Sequence, residues 1–265
     1  MKLPTLFISH GGGPWPWIPE RRKDFAGTLR FLEQLPATLP EKPKAILSVS
    51  GHWEEPEFTV STAAQPPMVY DYYGFPADTY QIKYSAPGSP TLAHRVRGLL
   101  GDAGVRINEN AERGFDHGTF VPLAVMYPNA DVPIVSLSLR SNLNSSEHLR
   151  MGAALQPLRD EGVLIVGSGL SYHNLRALGS SSSAGPVSEQ FEAWLTSAVE
   201  ESNPDVRAQR LSHWAEAPAA RQAHPREEHL IPLMVAAGAA GISRGQRVFQ
   251  DNVWGVSMAS YQFND

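Results

Sequence analysis

Four short apolar runs recur along the chain, each rich in Val, Ile or Leu and each closing on or next to small residues: Leu3–Ser9, Ala45–Ser50, Val132–Leu139 and Val163–Gly167. Their apolarity is continuous rather than alternating, which predicts strands buried on both faces. Between them the apolar positions recur at helical spacing, predicting helices over Thr28–Leu35, Pro90–Leu100, Ser145–Leu158 and Pro186–Glu201. Ser89 is placed to cap the second of these, with Pro90 in its first turn. Strands alternating with helices predict an α/β fold: a mostly parallel, mixed central sheet with helices on both faces, formed as a single domain over residues 1–265. Phe58–Thr62, Tyr80–Ser85 and Trp254–Phe263 are expected to add edge strands, some of them antiparallel. Gly179–Gly185 reads as a loop.

Composition narrows the chemistry. The absence of cysteine excludes disulfides, thiolate metal sites and cysteine nucleophiles, and it suits a reducing cytoplasm, the expected compartment. Lys2 is the one basic residue ahead of the first apolar run and Pro4 interrupts that run, so it does not read as a secretion signal. Leu230–Ile242, the longest uncharged apolar stretch, contains Pro232, Gly238 and Gly241 and falls short of the roughly 20 residues a bilayer demands. The net charge of −5 is dispersed, with no basic stripe to neutralise phosphates. Membrane and nucleic acid are therefore not expected as partners.

The histidines are placed more tellingly. His10 follows the first apolar run, His52 the second (SVSGHWEE) and His173 the last (GSGLSYHN). In a parallel sheet these ends share one edge, where open α/β folds build ligand sites, so three imidazoles are expected to converge there as candidate metal ligands. In GFDHGTFVPL, Asp116 would cap an apolar helix and leave His117 at its positive end, a position suited to a general base. In HPREEHLIPL, His224 and His229 lie five apart, about 140° round a regular helix, so they need not share one ligand face. Pro232 fits the first turn of the helix that follows, so His229 is the better ligand candidate and His224 is expected behind it; Glu227 and Glu228 are carboxylate alternatives. His94 and His148 read as surface residues, and His213 precedes Trp214 in a polar segment with no strand end beside it. Gly11–Gly13 lack the spacing and the lysine of a phosphate loop, and GSGLS around Ser168 lacks the Gly-x-Ser-x-Gly of a nucleophile elbow.

Taken together, SHGGGP, SGHWE, YDYYGFP, YSAPGSP, GFDHGTFVPL, GSGLSYHNL and HPREEHLIPL, in that order from residue 9 to residue 233, resemble the class III extradiol ring-cleavage dioxygenases of the LigB-like superfamily. More narrowly they resemble the 4,5-DOPA extradiol dioxygenase-like group of plants and bacteria. The resemblance implies one divalent metal bound by His10, His52 and His229, with His173 as a fourth ligand or as the acid/base residue. The wider superfamily uses two histidines and a carboxylate around Fe(II); here the third position reads as histidine, with Glu228 beside it as the alternative. An all-imidazole site also suits Zn(II). The implied partners are a small aromatic diol and O2. His173 would take or share a phenolic proton and His117 would hydrogen-bond the substrate or the reacting oxygen. Trp53, Tyr72 and Phe75 are candidates for an aromatic pocket, and Arg140, Arg176 or Glu54 for a partner to an amino-acid group on the substrate. A zinc-dependent hydrolase of a small substrate and a non-catalytic metal-binding relative are the alternative readings.

Overall fold

A computed structural model of the chain describes residues 1–178 and 181–265. Its strands are β1 (Thr5–Ser9), β2 (Ala45–Ser50), β3 (Glu54–Glu55), β4 (Phe58–Ser61), β5 (Ile107–Asn110), β6 (Ile134–Ser136), β7 (Leu139–Arg140), β8 (Val163–Gly169), β9 (Arg244–Val253) and β10 (Val256–Asn264). Its helices are α1 (Pro19–Asp24), α2 (Ala26–Thr38), α3 (Pro90–Asp102), α4 (His117–Met126), α5 (Ser145–Ala154), α6 (Ser181–Val199), α7 (Pro204–Ser212), α8 (Ala220–Ala223) and α9 (Ile231–Ala240). The central sheet runs β6-β2-β8-β1-β10-β9. Its first four members are parallel, as the continuous apolar runs predict, and β10 joins β1 antiparallel, so the sheet is mixed. β1, β2 and β8 are buried along their whole length.

The two faces of the sheet can be read from β8, whose successive residues point opposite ways. Ser168 reaches the Gly118 carbonyl of α4 on one face. Gly167 and Gly169 lie against the backbone of Pro232 and His229, at the start of α9, on the other. α9 is apolar all round because it is enclosed all round: Ile231, Leu233, Met234 and Val235 are fully buried, worth roughly 1.5–3 kcal/mol apiece. Ser89 caps α3 as expected, its Oγ accepting from Leu92 N at 3.2 Å.

Several expectations are corrected. Val132–Leu139 is not one strand: it divides into β6, in the central sheet, and β7, which pairs with β3. Phe58–Thr62 does form a strand, β4, but it pairs with β5 in a separate two-stranded sheet instead of edging the main one. Tyr80–Ser85 is no strand; a 3₁₀ turn over Ala77–Gln81 precedes unpaired chain, which tyrosine hydroxyls tie down instead: Tyr70 Oη donates to the Ile82 carbonyl at 2.6 Å and Tyr84 Oη to the Leu123 carbonyl at 3.0 Å. β10 is internal because β9 lies outside it. β9 has a polar, partly exposed pattern, so it left no apolar run to find. The helix expected over Ser145–Leu158 ends at Ala154 and continues as a 3₁₀ turn, Gln156–Arg159. Of the loop expected at Gly179–Gly185, Gly179 and Ser180 lie outside the described residues, and from Ser181 the chain is already helical.

Candidate metal centre

The parallel strands deliver their ends to one edge. The backbone N–H of His10 donates to the Gly169 carbonyl at 3.0 Å, and that of Gly51 to Ser168 at 3.0 Å, so the chain leaves β1 and β2 in register with β8. His229 arrives from the other direction, in the segment between α8 and α9, with Pro232 in the first turn of α9. Its carbonyl accepts from Leu170 N at 3.0 Å, an approach that only glycine at 169 permits: a Cβ there would lie 2.0 Å from the His229 oxygen.

Three imidazoles meet as a result. His52 Nε2 lies 3.2 Å from His10 Nε2 and 3.1 Å from His229 Nε2. The opposite nitrogen of each ring is engaged. His10 Nδ1 is 3.0 Å from Ser168 Oγ, which spends its own proton on the Gly118 carbonyl and so accepts from the ring. His52 Nδ1 lies 3.3 Å from Asp71 Oδ2, and His229 Nδ1 lies 2.9 Å from Glu228 Oε1. The Ser168 hydroxyl, its proton spent, and the Glu228 carboxylate only accept, so His10 and His229 carry their proton on Nδ1 and turn the Nε2 lone pair inward, and the Asp71 carboxylate facing His52 Nδ1 favours the same tautomer there. Lone pairs this close, with no proton between them, repel unless a cation sits among them. Metal–imidazole bonds of roughly 2.0–2.1 Å set adjacent ligand nitrogens about 3.0–3.4 Å apart, the spacing found between His52 and each of His10 and His229. The residues fit a bound metal.

The rings are also neutral. Burial, then the neighbouring imidazoles, hold His10 and His229 well below the ordinary histidine range, and burial with His117 alongside brings His52 down to about 4. A neutral imidazole is the form that binds metal without first losing a proton.

Two more histidines stand beside these three, and each shares a carboxylate with one of them. His117, the first residue of α4, is held through Nδ1 and its backbone N–H by Asp71 Oδ1, both at 2.9 Å, while the other oxygen of Asp71 faces His52. His173 Nδ1 lies 2.9 Å from Glu228 Oε1, the oxygen that also receives His229, and its ring stacks on His229 with centroids 3.5 Å apart. Burial pushes both carboxyls up, but hydrogen bonds and charge from His117 and His52 (for Asp71) and from His173 (for Glu228) outweigh it and hold them below their ordinary values. Glu228 thus backs His229, and it is His229 that turns toward the other two rings. Asp71 was not singled out in the sequence; the clue was an aspartate wedged between aromatics in YDYYGFP.

Asp116 is buried and caps α4, its Oδ1 accepting from Thr119 N at 3.0 Å and from Ser50 Oγ at 2.8 Å, which fixes where His117 begins. His224 lies behind the cluster, fully buried, with Nε2 2.9 Å from the Ser171 carbonyl, and burial lowers it to about 4. Its neighbour Ala223 accepts from the backbone of His173 at 3.0 Å. Trp53 does not face the site: it is buried, gives its Nε1 to Glu55 at 2.9 Å and lies under Arg113. Nor is His148 a surface residue. It is fully buried, linking Asn144 O (2.7 Å) to Arg140 N (3.0 Å), and burial brings it to about 4. His94 is exposed, as expected, and so is His213.

A cavity of about 810 Å³ opens onto the histidines, walled by Tyr72, Phe75, Leu170 and Trp254 among others. Of the cations and anions proposed to meet an amino-acid group, Arg140 is paired with Glu57 and Glu147, Glu54 with Arg226, and Arg176 is exposed; the arginine in the cavity wall is Arg21. Among the described residues no helix is long and apolar enough to cross a membrane.

Comparison with known proteins agrees with the geometry. The family described as the catalytic LigB subunit of aromatic ring-opening dioxygenase matches residues 4–261. The chain is 40% identical to a 4,5-DOPA dioxygenase extradiol of Beta vulgaris, over 97% of its own length and 94% of the relative's. It is 37% identical to the dioxygenase tasH of Hapsidospora irregularis, over 97% of this chain and 84% of that one. The crystal structure of uncharacterized protein JW3007 from Escherichia coli K12 superposes with a TM-score of 0.81 at 32% identity, covering 99% of this chain and all of that one. Histidines gathered at one sheet edge, a fold shared end to end and this match across the chain make it a member of the LigB family of aromatic ring-opening dioxygenases, a metal-dependent extradiol enzyme.

Proposed function

We propose that the protein opens the ring of a catechol with a DOPA-like side chain, that His10, His52 and His229 hold one divalent metal through Nε2, and that this metal is Fe(II). The observation that carries the reading is the meeting of three Nε2 atoms, with that of His52 3.2 Å from His10 and 3.1 Å from His229 and an acceptor facing the Nδ1 of each ring. When bound, ferrous iron supplies the centre at which the two catechol oxygens and O2 are brought together. Three protein ligands leave room for them.

The chain's own residues do the rest. His173 spends its Nδ1 proton on Glu228, which leaves Nε2 as the basic atom to take a phenolic proton. Its stacking on His229 fixes it next to the ligand set. His117 is held by Asp71 in the same way and presents its Nε2 for a hydrogen bond to substrate or to the reacting oxygen. Tyr72, Phe75 and Leu170 exclude water from the ring. Both oxygen atoms of O2 end in the product, one in a new carboxylate and one in an aldehyde, as the ring bond beside the diol breaks; no external reductant enters. The relatives named for 4,5-DOPA support the substrate class.

The three-imidazole donor set also suits zinc, so the test separates the metals. Metal-free protein is loaded anaerobically with Fe(II) or Zn(II), given a catechol and then O2. The reading predicts oxygen uptake and a yellow ring-opened product with iron alone. A protein that binds iron and takes up no oxygen with any catechol contradicts it.

A further inference from the structure

The cavity has a second end. Among the described residues that line it, Arg21 carries the one permanent charge. Its guanidinium lies 4.7 Å from the centre of the Trp254 ring, a stacked cation–π arrangement. Trp254 sits at the tip of the β9–β10 hairpin with φ of 52°, followed by Gly255 at 81°, the two-residue left-handed turn that ordinarily takes asparagine or aspartate before glycine. A tryptophan in that conformation is strained, and strain of this kind persists where surrounding structure holds it and clusters at ligand clamps. Here three contacts hold it: Nε1 donates to Asp24 Oδ2 at 2.8 Å, the Phe25 ring meets it edge-on at 5.0 Å, and Arg21 covers one face. The ring leans over Gly12, two residues from His10; a Cβ on Gly12 would lie 3.7 Å from it.

The arrangement leaves Arg21 with unused donors. Asp24, the carboxylate one turn along α1, is occupied by Trp254, and among the described residues Arg21 forms no ion pair. A planar, half-buried guanidinium braced on an aromatic face, in the wall of a cavity far larger than a catechol ring, is suited to a carboxylate, which it can meet with two parallel N–H bonds.

We propose that Arg21, braced by Trp254, is the subsite for a carboxylate on the substrate's side chain, so that the enzyme takes catechols carrying an anionic tail and discriminates against neutral or cationic ones. The inference rests on the ring-opening reading for the other end of the molecule. It adds the residue that determines specificity.

Its test is read first by binding. Wild type, Arg21→Gln and Arg21→Lys are loaded anaerobically with Fe(II) and titrated calorimetrically with 3,4-dihydroxyphenylpropanoate, 4-methylcatechol and dopamine, with thermal unfolding as the check that each variant folds. The wild type is expected to bind the carboxylate roughly 10- to 100-fold more tightly than 4-methylcatechol, with dopamine weakest. Arg21→Gln is expected to erase that preference while leaving 4-methylcatechol unchanged, and Arg21→Lys to keep part of it, since it retains the charge but not the fork. A wild type without the preference overturns the proposal, as does a Gln variant that weakens both ligands equally. Oxygen uptake by the same samples then judges the other reading separately. Arg21-dependent binding without uptake keeps the subsite and sinks ring cleavage; uptake by a Gln variant that still prefers the carboxylate does the reverse.

Discussion

Replacing Asp71 by asparagine tests how the proposed ligand His52 is held. Asp71 accepts two hydrogen bonds on one oxygen, from the backbone and Nδ1 of His117, both at 2.9 Å, and its other oxygen faces His52 Nδ1 at 3.3 Å in an electrostatic contact. Asparagine has one acceptor oxygen. Turned one way, its NH2 opposes two donors of His117; turned the other, it opposes one donor of His52. The second arrangement wins on that count, so the amide oxygen stays with His117 and a donor faces His52. His52 can relieve the clash by moving its proton to Nε2, which takes its lone pair out of the site. Partners behind a metal-bound histidine are worth roughly 10- to 100-fold in metal affinity, or about 1.4–2.7 kcal/mol. The expected result is therefore Fe(II) binding weakened by that factor, with kcat at saturating metal changed only a few-fold because His117 keeps its support. Anaerobic titration against a chromophoric chelator, followed by oxygen uptake at excess iron, measures both. Asp71→Asn that binds iron as tightly as wild type refutes the tautomer argument.

Gly169→Ala drives a methyl group into the His229 carbonyl, 2.0 Å from the built Cβ; roughly 1–3 kcal/mol of stability and much of the metal affinity should be lost, read by denaturant unfolding and metal content, and a neutral result would mean that the α9 segment is not pinned there. Burial holds His52, His148 and His224 at about 4 in the folded chain against 6.5 unfolded. The unfolded chain therefore binds more protons in that window, and the metal-free protein should be at full stability above about pH 6.5 and lose up to about 1.4 kcal/mol per pH unit for each such histidine as pH falls. Unfolding midpoints that stay level from about pH 7.5 to pH 5.5 would contradict this. Chelation should lower the melting temperature and iron or zinc should restore it, since a metal at 100 times its Kd adds about 2.7 kcal/mol; a melting temperature indifferent to metal argues against a preformed site.

The sheet and the site edge were legible because their signals are local. Continuous apolar runs marked β1, β2 and β8, and a histidine just beyond each end marked where ligands would gather. Capping chemistry placed α3 and α4 through Ser89 and Asp116. What the sequence concealed depends on contacts between distant segments. β9 is polar along much of its length and is a strand only because β10 pairs with it. His148, among charged neighbours, becomes buried only when the β7 turn folds over it. Trp53 looked like a pocket wall because it follows His52, yet the chain turns it toward Glu55 and Arg113. The bridging roles of Asp71 and Glu228, and the meeting of Arg21 with Trp254, join parts of the chain that no local pattern connects.

The central claim is that three Nε2 atoms hold the metal. Anomalous diffraction at the iron edge, from crystals loaded anaerobically with Fe(II), tests it directly. The account predicts a single strong peak within bonding distance of His10, His52 and His229 Nε2, with Glu228 behind His229 and not on the metal. A peak carried by the Glu228 carboxylate, or one placed away from these three rings, would contradict it.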